Sequence, residues 1–311
     1  MTAAGAVDGR ASRLRTYLEL VRFSHTIFAL PFAIMAVLIA IRLDGDAIWS
    51  QPILWLRMLA GVLLCMISAR TAAMAFNRLV DRQIDAANPR TANRHLPRGD
   101  VRVDEVLLLI ACSAVTFVAS TLLFLPNWLP LVLAAPVLAW LLGYSYAKRF
   151  TILAHVWLGV ALGLAPVAAW IALRGSAVLA NPADLLPAAL LGIAVALWVS
   201  GFDTIYACQD ARFDAAQGLR SIPARLGVPW ALRLAAVLHA LTVFALALLP
   251  LVVPQLGAIY WSALAVIAVL LVWEHAIVRP DDLSRVNEAF FTANAIIGVV
   301  LLAAIAADLW V

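Results

Sequence analysis

Two stretches of the chain carry polar residues at a spacing suited to chemistry. The first reads Asn77-Arg-Leu-Val-Asp81-Arg-Gln-Ile-Asp85 and is followed by Asn88-Pro89-Arg90-Thr91 and Arg94. The second reads Asp203-Thr-Ile-Tyr206-Ala-Cys-Gln-Asp210-Ala-Arg-Phe-Asp214 and is followed by Arg220-Ser221 and Arg225. A spacing of four sets each triplet, Asn77-Asp81-Asp85 and Tyr206-Asp210-Asp214, on one helical face, with paired carboxylates about 5–6 Å apart at Cβ. Like charges that close destabilise a helix unless a cation lies between them. A divalent metal supplies that charge, and Mg2+ typically takes one or two carboxylates together with substrate phosphates. The pattern points to a metal-bridged diphosphate.

A single D-x-x-x-D carries little weight, because 14 Asp in 311 residues produce one about 0.6 times by chance. Asp100 and Asp104 show the bare spacing without a polar residue four positions upstream, and read as a solvated loop and helix start. The other two pairs share an upstream Asn or Tyr, a place where an apolar run ends, and arginines downstream. They also share an offset: Asn77 and Tyr206, Asp81 and Asp210, and Asp85 and Asp214 are each 129 positions apart. That offset predicts a duplicated helical unit whose two copies face one site.

Four further groups join the candidates. Asp203 lies seven residues before Asp210, at or within the mouth of an apolar run, and an ionisable residue at membrane depth is a functional candidate. Tyr144 and Lys148 are four apart where another run ends, and Lys148 is the one lysine beside 21 arginines, a position that prefers a compact ammonium. Arg70, seven before Asn77, pairs with a phosphate, with a buried Asp, or serves helix packing. His25, in Ser24-His25-Thr26, reads as a packing or interfacial residue or as a site residue.

The elements that must position these groups follow from composition. Apolar residues make up 65% of the chain and charged residues 13%, which excludes a soluble globule, a disordered chain and a coiled coil. An all-α polytopic membrane protein remains, with no nucleic-acid partner expected. Apolar segments at 23–41, 53–76, 104–125, 128–146, 151–173, 185–208, 229–253, 256–278 and 289–310 predict nine spans around a central cavity. Pro31, Pro136 and Pro166 fall inside these runs, where they kink or end helices. Cys65, Cys112 and Cys208 lack metal-ligand spacing and read as small hydrophobes. Trp49, Trp128 and Trp310 read as interfacial belt, and no removable signal peptide is read at the N-terminus.

Of the 22 basic residues, 18 fall on one side of these spans. They include Arg10, Arg13, Arg15 and Arg22, the six arginines from Arg78 to Arg102, Lys148 and Arg149. Arg42, Arg57 and Arg174 lie opposite. The positive-inside rule then predicts a cytoplasmic N-terminal segment over 1–20, the acidic motifs at the cytoplasmic face of the cell membrane, and the C-terminus outside. Residues 1–311 read as a single integral-membrane domain, with spans one to four and five to eight as pseudo-repeats and a ninth span added.

With Arg90-Thr91, Leu96-Pro97-x-Gly99 and Asp203-x-x-Tyr206-Ala207, the two acidic motifs resemble the UbiA superfamily of intramembrane prenyltransferases over essentially the whole chain. The stretches Arg22-Phe-Ser-His25 to Pro31-Phe and Gln209-Asp210 to Ser221-Ile222-Pro223 are similar to its 4-hydroxybenzoate polyprenyltransferase-like branch, which also contains futalosine-route menaquinone relatives. The resemblance implies that Asp81, Asp85, Asp210 and Asp214 bind Mg2+ and a polyprenyl diphosphate. It implies that Arg90, Arg94 and Lys148 contact the diphosphate, with Asn77, Tyr144 and Tyr206 in the same substrate site. The reaction is then an electrophilic substitution on an aromatic acid, 4-hydroxybenzoate or alternatively a dihydroxynaphthoate, with Asp203 or Asp210 orienting or deprotonating its phenol. Arg94-His95-Leu96-Pro97 departs from the Arg-Pro-Leu-Pro of many relatives, which leaves that loop without one ring constraint. A secondary transporter is the non-enzyme alternative, but its charges should sit near the midplane and these cluster at one face.

Overall fold

The computed structural model describes residues 13, 15–21, 30–44, 51–289 and 294–311. Arg10, Arg22, His25 and Trp49 lie outside the described residues. Twelve helices carry the architecture: α1 (Leu30–Asp44), α2 (Pro52–Val80), α3 (Arg82–Ala87), α4 (Val103–Thr121), α5 (Leu129–Phe150), α6 (Ala154–Ala180), α7 (Leu186–Ala207), α8 (Ala211–Ala216), α9 (Ile222–Leu226), α10 (Val228–Ala247), α11 (Ala258–Ile277) and α12 (Asn294–Trp310). One isolated bridge between Arg279 and Asp282 is the extent of β-structure among the described residues.

Lipid offers no partner to a backbone N–H or C=O, so a spanning segment has to bond within itself. Seven helical stretches, those built on α2, α4, α5, α6, α7, α10 and α11, are long and apolar enough to cross a bilayer. The chain is therefore a multi-pass membrane protein. α1 and α12 are apolar but shorter, and they cover only the described parts of the first and ninth expected spans. Several starts are written in proline, whose missing N–H costs nothing in a first turn: α2, α5, α7, α9 and α10 all begin this way. Pro136 and Pro166 sit inside continuous helices rather than ending them. The fifth span runs past its expected limit at 173 to Ala180, with non-helical backbone at Arg174.

The long helices pack in sequence, α2 on α4 and α5, α5 on α6, α6 on α7, α7 on α10, α10 on α11, α11 on α12, α12 on α1, and α1 back on α6. Trp170, Trp198 and Tyr260 are fully enclosed in the main core, while Leu108, Val115, Val132, Val269 and Val272 are exposed on the outside, where lipid would cover them. The tightest contact joins α6 and α7. A Cβ on Gly159 would fall inside the van der Waals radius of the Ala196 carbonyl oxygen, and one on Gly163 would do the same at Gly192. Without a hydrophobic force between helices in lipid, such small-residue seams let backbones approach. Gly159→Ala is expected to destabilise the protein by about 1–3 kcal/mol through overpacking, seen as a lower unfolding temperature in detergent. An unchanged transition would mean the seam has slack.

Polar side chains sort to the two ends. At one end Arg57 donates to the Leu125 carbonyl, Arg174 pairs with Asp184, and Asp308 accepts from the backbone of Gly257 and Tyr260. At the other end Arg149 reaches α2, Arg220 bonds the backbone of Lys148 and Phe150, and Asn88 reaches Asp210. Trp128 and Trp310 are exposed near helix ends, as a belt requires.

Candidate active site

The acid-bearing segments repeat one local shape. α2 ends at Asp81, whose backbone (φ −89, ψ 3) breaks the helix before the six-residue α3 that carries Asp85. After α7 and a short 3-10 turn the chain reaches Asp210, at φ −100 and ψ 3, before the six-residue α8 that carries Asp214. Both acids of each pair thus flank a corner where a long helix gives way to a short one. Asp81, Asp85 and Asp214 are buried, and the Asp210 side chain is 16% exposed. Asp100 lies in a turn and Asp104 in the first turn of α4, outside this arrangement as expected.

Buried carboxylates need compensation, and cations converge on them. Asp81 accepts from Asn77 Nδ2 at 3.1 Å and pairs with Lys148 Nζ at 3.1 Å and Arg149 Nη2 at 3.2 Å. Arg94 Nη1 lies 2.7 Å from both oxygens of Asp85. Arg90 makes a forked pair with Asp210, Nε to Oδ1 at 2.8 Å and Nη2 to Oδ2, and donates from Nη1 to Tyr206 Oη at 2.9 Å. Asn88 Nδ2 donates to the same Asp210 Oδ1 at 3.0 Å. Burial weakens the Arg90 charge, but the hydrogen bond and charge of Asp210 outweigh it and hold the guanidinium above the ordinary arginine range. Lys148 acts electrostatically on Asp210 and Asp214 as well as pairing with Asp81, so the one lysine stands between the two motifs. Asp214 has no described cation within 4.0 Å.

The site opens onto a cavity of about 430 Å³ between α2, α4, α5 and α6, lined by Asn77 and Tyr144 at the polar end and by Met66, Phe117, Leu141 and Leu162 within. Arg70 is the one charged side chain among the described residues lining it. Asp203, one turn before the end of α7, bonds His155 rather than an arginine, Nδ1···Oδ2 2.6 Å. The structure therefore brings together all eleven candidate site residues, Asn77, Asp81, Asp85, Arg90, Arg94, Tyr144, Lys148, Asp203, Tyr206, Asp210 and Asp214. It adds three that spacing did not single out for roles: Asn88, Arg149 and His155. His155 carried a faint signal, a histidine just inside an apolar run next to a basic connection. The loop lacking a proline is tied instead by His95, 3.1 Å from Asp100 and 3.3 Å from Glu19.

Residues 26–296 match the model of the UbiA prenyltransferase family. The chain belongs to that family. A UbiA-family relative from Xanthomonas oryzae pv. oryzae (strain PXO99A), named 4-hydroxybenzoate octaprenyltransferase, is 33% identical over 284 residues, 91% of this chain and 89% of its own length. The Nitrosomonas europaea protein of the same name is 30% identical over 96% of both chains. Among solved UbiA homologues, the apo structure from Aeropyrum pernix K1 superposes with a TM-score of 0.78 at 34% identity, covering 92% of this chain and 98% of that one. A homologue from Archaeoglobus fulgidus, solved with DMAPP and Mg2+, shares the fold with a TM-score of 0.62 at 19% identity, covering 95% of this chain and 99% of that one.

Proposed function

We propose that this UbiA-family enzyme transfers a polyprenyl group from a polyprenyl diphosphate to an aromatic acid, 4-hydroxybenzoate, in quinone biosynthesis. The observation that carries the reading is Lys148 and Arg90 paired with acids of the two motifs, next to Asn77, which bonds Asp81 and lines the polar end of an apolar cavity. The names of the Xanthomonas and Nitrosomonas relatives support the acceptor. The concentration of basic residues at the site end supports a cytoplasmic site and N-terminus. The matching corners at Asp81 and Asp210 support one domain built from two pseudo-repeats.

Mg2+ fits the donor set, because Asp81, Asp85, Asp210 and Asp214 offer only hard carboxylate oxygens and Asp214 is buried without an ion pair. Among the described residues no three His, Cys, Asp or Glu side chains are grouped to hold a metal by themselves, so Mg2+ at these acids would take the rest of its ligands from substrate phosphates and water. These four residues would hold Mg2+ together with the diphosphate, and the bound ion would supply positive charge to the leaving group. Arg90, Arg94, Lys148 and Arg149 turn from their carboxylates to the diphosphate oxygens and stabilise the charge that develops there. Asn77 and Tyr206 orient the donor from the two motifs. Arg70 pairs with the carboxylate of the acid, Tyr144 borders its ring, and Asp203 takes the phenolic proton. The apolar wall keeps water from the allylic cation and receives the first isoprene units, while the rest of the tail lies along lipid-facing helices.

The test is turnover of the full chain in detergent with geranyl diphosphate, Mg2+ and each acid in turn. Mg2+-dependent prenyl-4-hydroxybenzoate is the expected product. Product from a dihydroxynaphthoate alone would move the acceptor to the menaquinone branch, and product from no acceptor would overturn the enzyme reading.

A further inference from the structure

The mechanism above asks Asp203 to act as a base, and a carboxylate in an apolar ring of helices needs a hydrogen-bond partner that holds and aims it. His155 meets that need from a different helix. It is the second residue of α6, buried, with Nδ1 2.6 Å from Asp203 Oδ2 on α7. Its other nitrogen, Nε2, faces the backbone N–H of Ile222 at the start of α9, at 3.4 Å. A backbone N–H only donates, so Nε2 is the lone-pair nitrogen and the proton sits on Nδ1. With Nε2 accepting there, Nδ1–H donates to Asp203.

Two features separate this contact from ordinary packing. The α6 and α7 backbones are already drawn together at Gly159 and Gly163, so the helix pair does not depend on a His–Asp bond for its closeness. Asp203 also uses only Oδ2 on His155, leaving Oδ1 for another partner, and the side chain is 19% exposed. The other charged or titratable groups acting at this point are Tyr144 from α5, electrostatically coupled to Asp203 and Asp81, and Asp214 from α8, coupled to His155.

We propose that His155 is a positioning residue for acceptor activation, its Nδ1–H holding the Asp203 carboxylate so that Oδ1 takes the phenolic proton of the aromatic acid. The inference rests on the prenyltransferase reading. In the step, Oδ1 accepts the phenolic proton, and the ring carbon beside that oxygen bonds to the allylic C1. The C1–O bond breaks, its electron pair leaving on the diphosphate. The proton on the substituted ring carbon then passes to the diphosphate, and Asp203 returns its own proton to the oxygen. Phenol and carboxylate are both restored. The arrangement inverts the usual dyad, in which a carboxylate orients a histidine.

The experiment compares wild type, His155→Ala, His155→Asn, Asp203→Asn and the double variant His155→Ala/Asp203→Asn. The full chain is assayed in detergent with Mg2+, geranyl diphosphate and 4-hydroxybenzoate. Asn sets an amide N–H where the histidine Nδ1–H was. The expected result is a kcat about 10²-fold lower in His155→Ala, the low end of what a general base contributes, with the KM for geranyl diphosphate unchanged. His155→Asn recovers most of that loss, and the double variant is no slower than Asp203→Asn alone. The unchanged donor KM also shows that the variant is folded. Full turnover in His155→Ala, failure of His155→Asn to recover any of it, or an undiminished further loss on the Asp203→Asn background would each overturn the inference. A wild-type chain that prenylates no acid overturns the underlying reading, a result distinct from these.

Discussion

Asp81→Ala combined with Asp210→Ala takes prenyl transfer to background while the helical bundle stays folded. Each substitution disconnects one motif. Without Asp81, Lys148, Arg149 and Asn77 lose their shared partner; without Asp210, Arg90 and Asn88 do. Removing one well-placed electrostatic group at a reacting centre costs about 10²–10³ in rate, so loss of both carboxylates with the metal charge they are proposed to hold amounts to about 10⁴ or more. Stability suffers much less. Stranding a buried charge costs about 3–5 kcal/mol, but Lys148 and Arg149 are 29% and 37% exposed and reach water. The checks are product formation across a Mg2+ titration and thermal unfolding of the same sample. Turnover within tenfold of wild type would remove these acids from the site.

Arg90→Lys is the second large effect, and it isolates shape from charge. The Arg90 guanidinium spends three nitrogens on two partners, Asp210 and Tyr206, and its Cζ lies over the Tyr206 ring at 5.1 Å. A lysine ammonium keeps the charge but cannot reproduce a planar fork. Since Arg90 follows the first motif and its partners belong to the second, the fork is also the bridge that ties the two halves of the site. The variant is expected to lose about 10² in kcat/KM, with a raised KM for the polyprenyl diphosphate. Unfolding should move little, because the Arg90 side chain is 30% exposed and exposed pairs contribute at most about 1 kcal/mol. A lysine variant with wild-type kinetics would show that any cation suffices there.

Much of this site was legible because its information is local. Four-residue spacing puts Asp81 and Asp85 on one face whatever the rest of the chain does, and the common offset pairs them with Asp210 and Asp214. The rarity of lysine singled out Lys148, and the structure sets its ammonium 3.1 Å from Asp81, on the side from which it also acts electrostatically on the second motif. What stayed hidden depends on which helices become neighbours. His155 and Asp203 lie 48 positions apart, and nothing in either sequence window announces the other. Arg149 was only one basic residue among 18 on its side until α5 was set beside the end of α2. The short helices α3 and α8 were invisible as elements because six residues carry too little periodicity to register. Arg70 had three open readings, a phosphate, a buried Asp and helix packing, and hydropathy had no way to show that it sits in the cavity wall.

The ion pairing around the two motifs carries one more consequence. Three carboxylates, Asp81, Asp85 and Asp210, pair with four cations, Arg90, Arg94, Lys148 and Arg149, and two more, Asp203 and Asp214, stand in the same site without a permanent cation of their own among the described residues. The centre is close to electroneutral despite its wealth of arginine. Free orthophosphate or sulfate approaching it feels little net attraction and finds every cation engaged, whereas a diphosphate that brings its own divalent ion satisfies acids and bases at once. On the prenyltransferase reading, charge balance at this centre favours a donor that carries its own divalent ion over the simple anions of the cell.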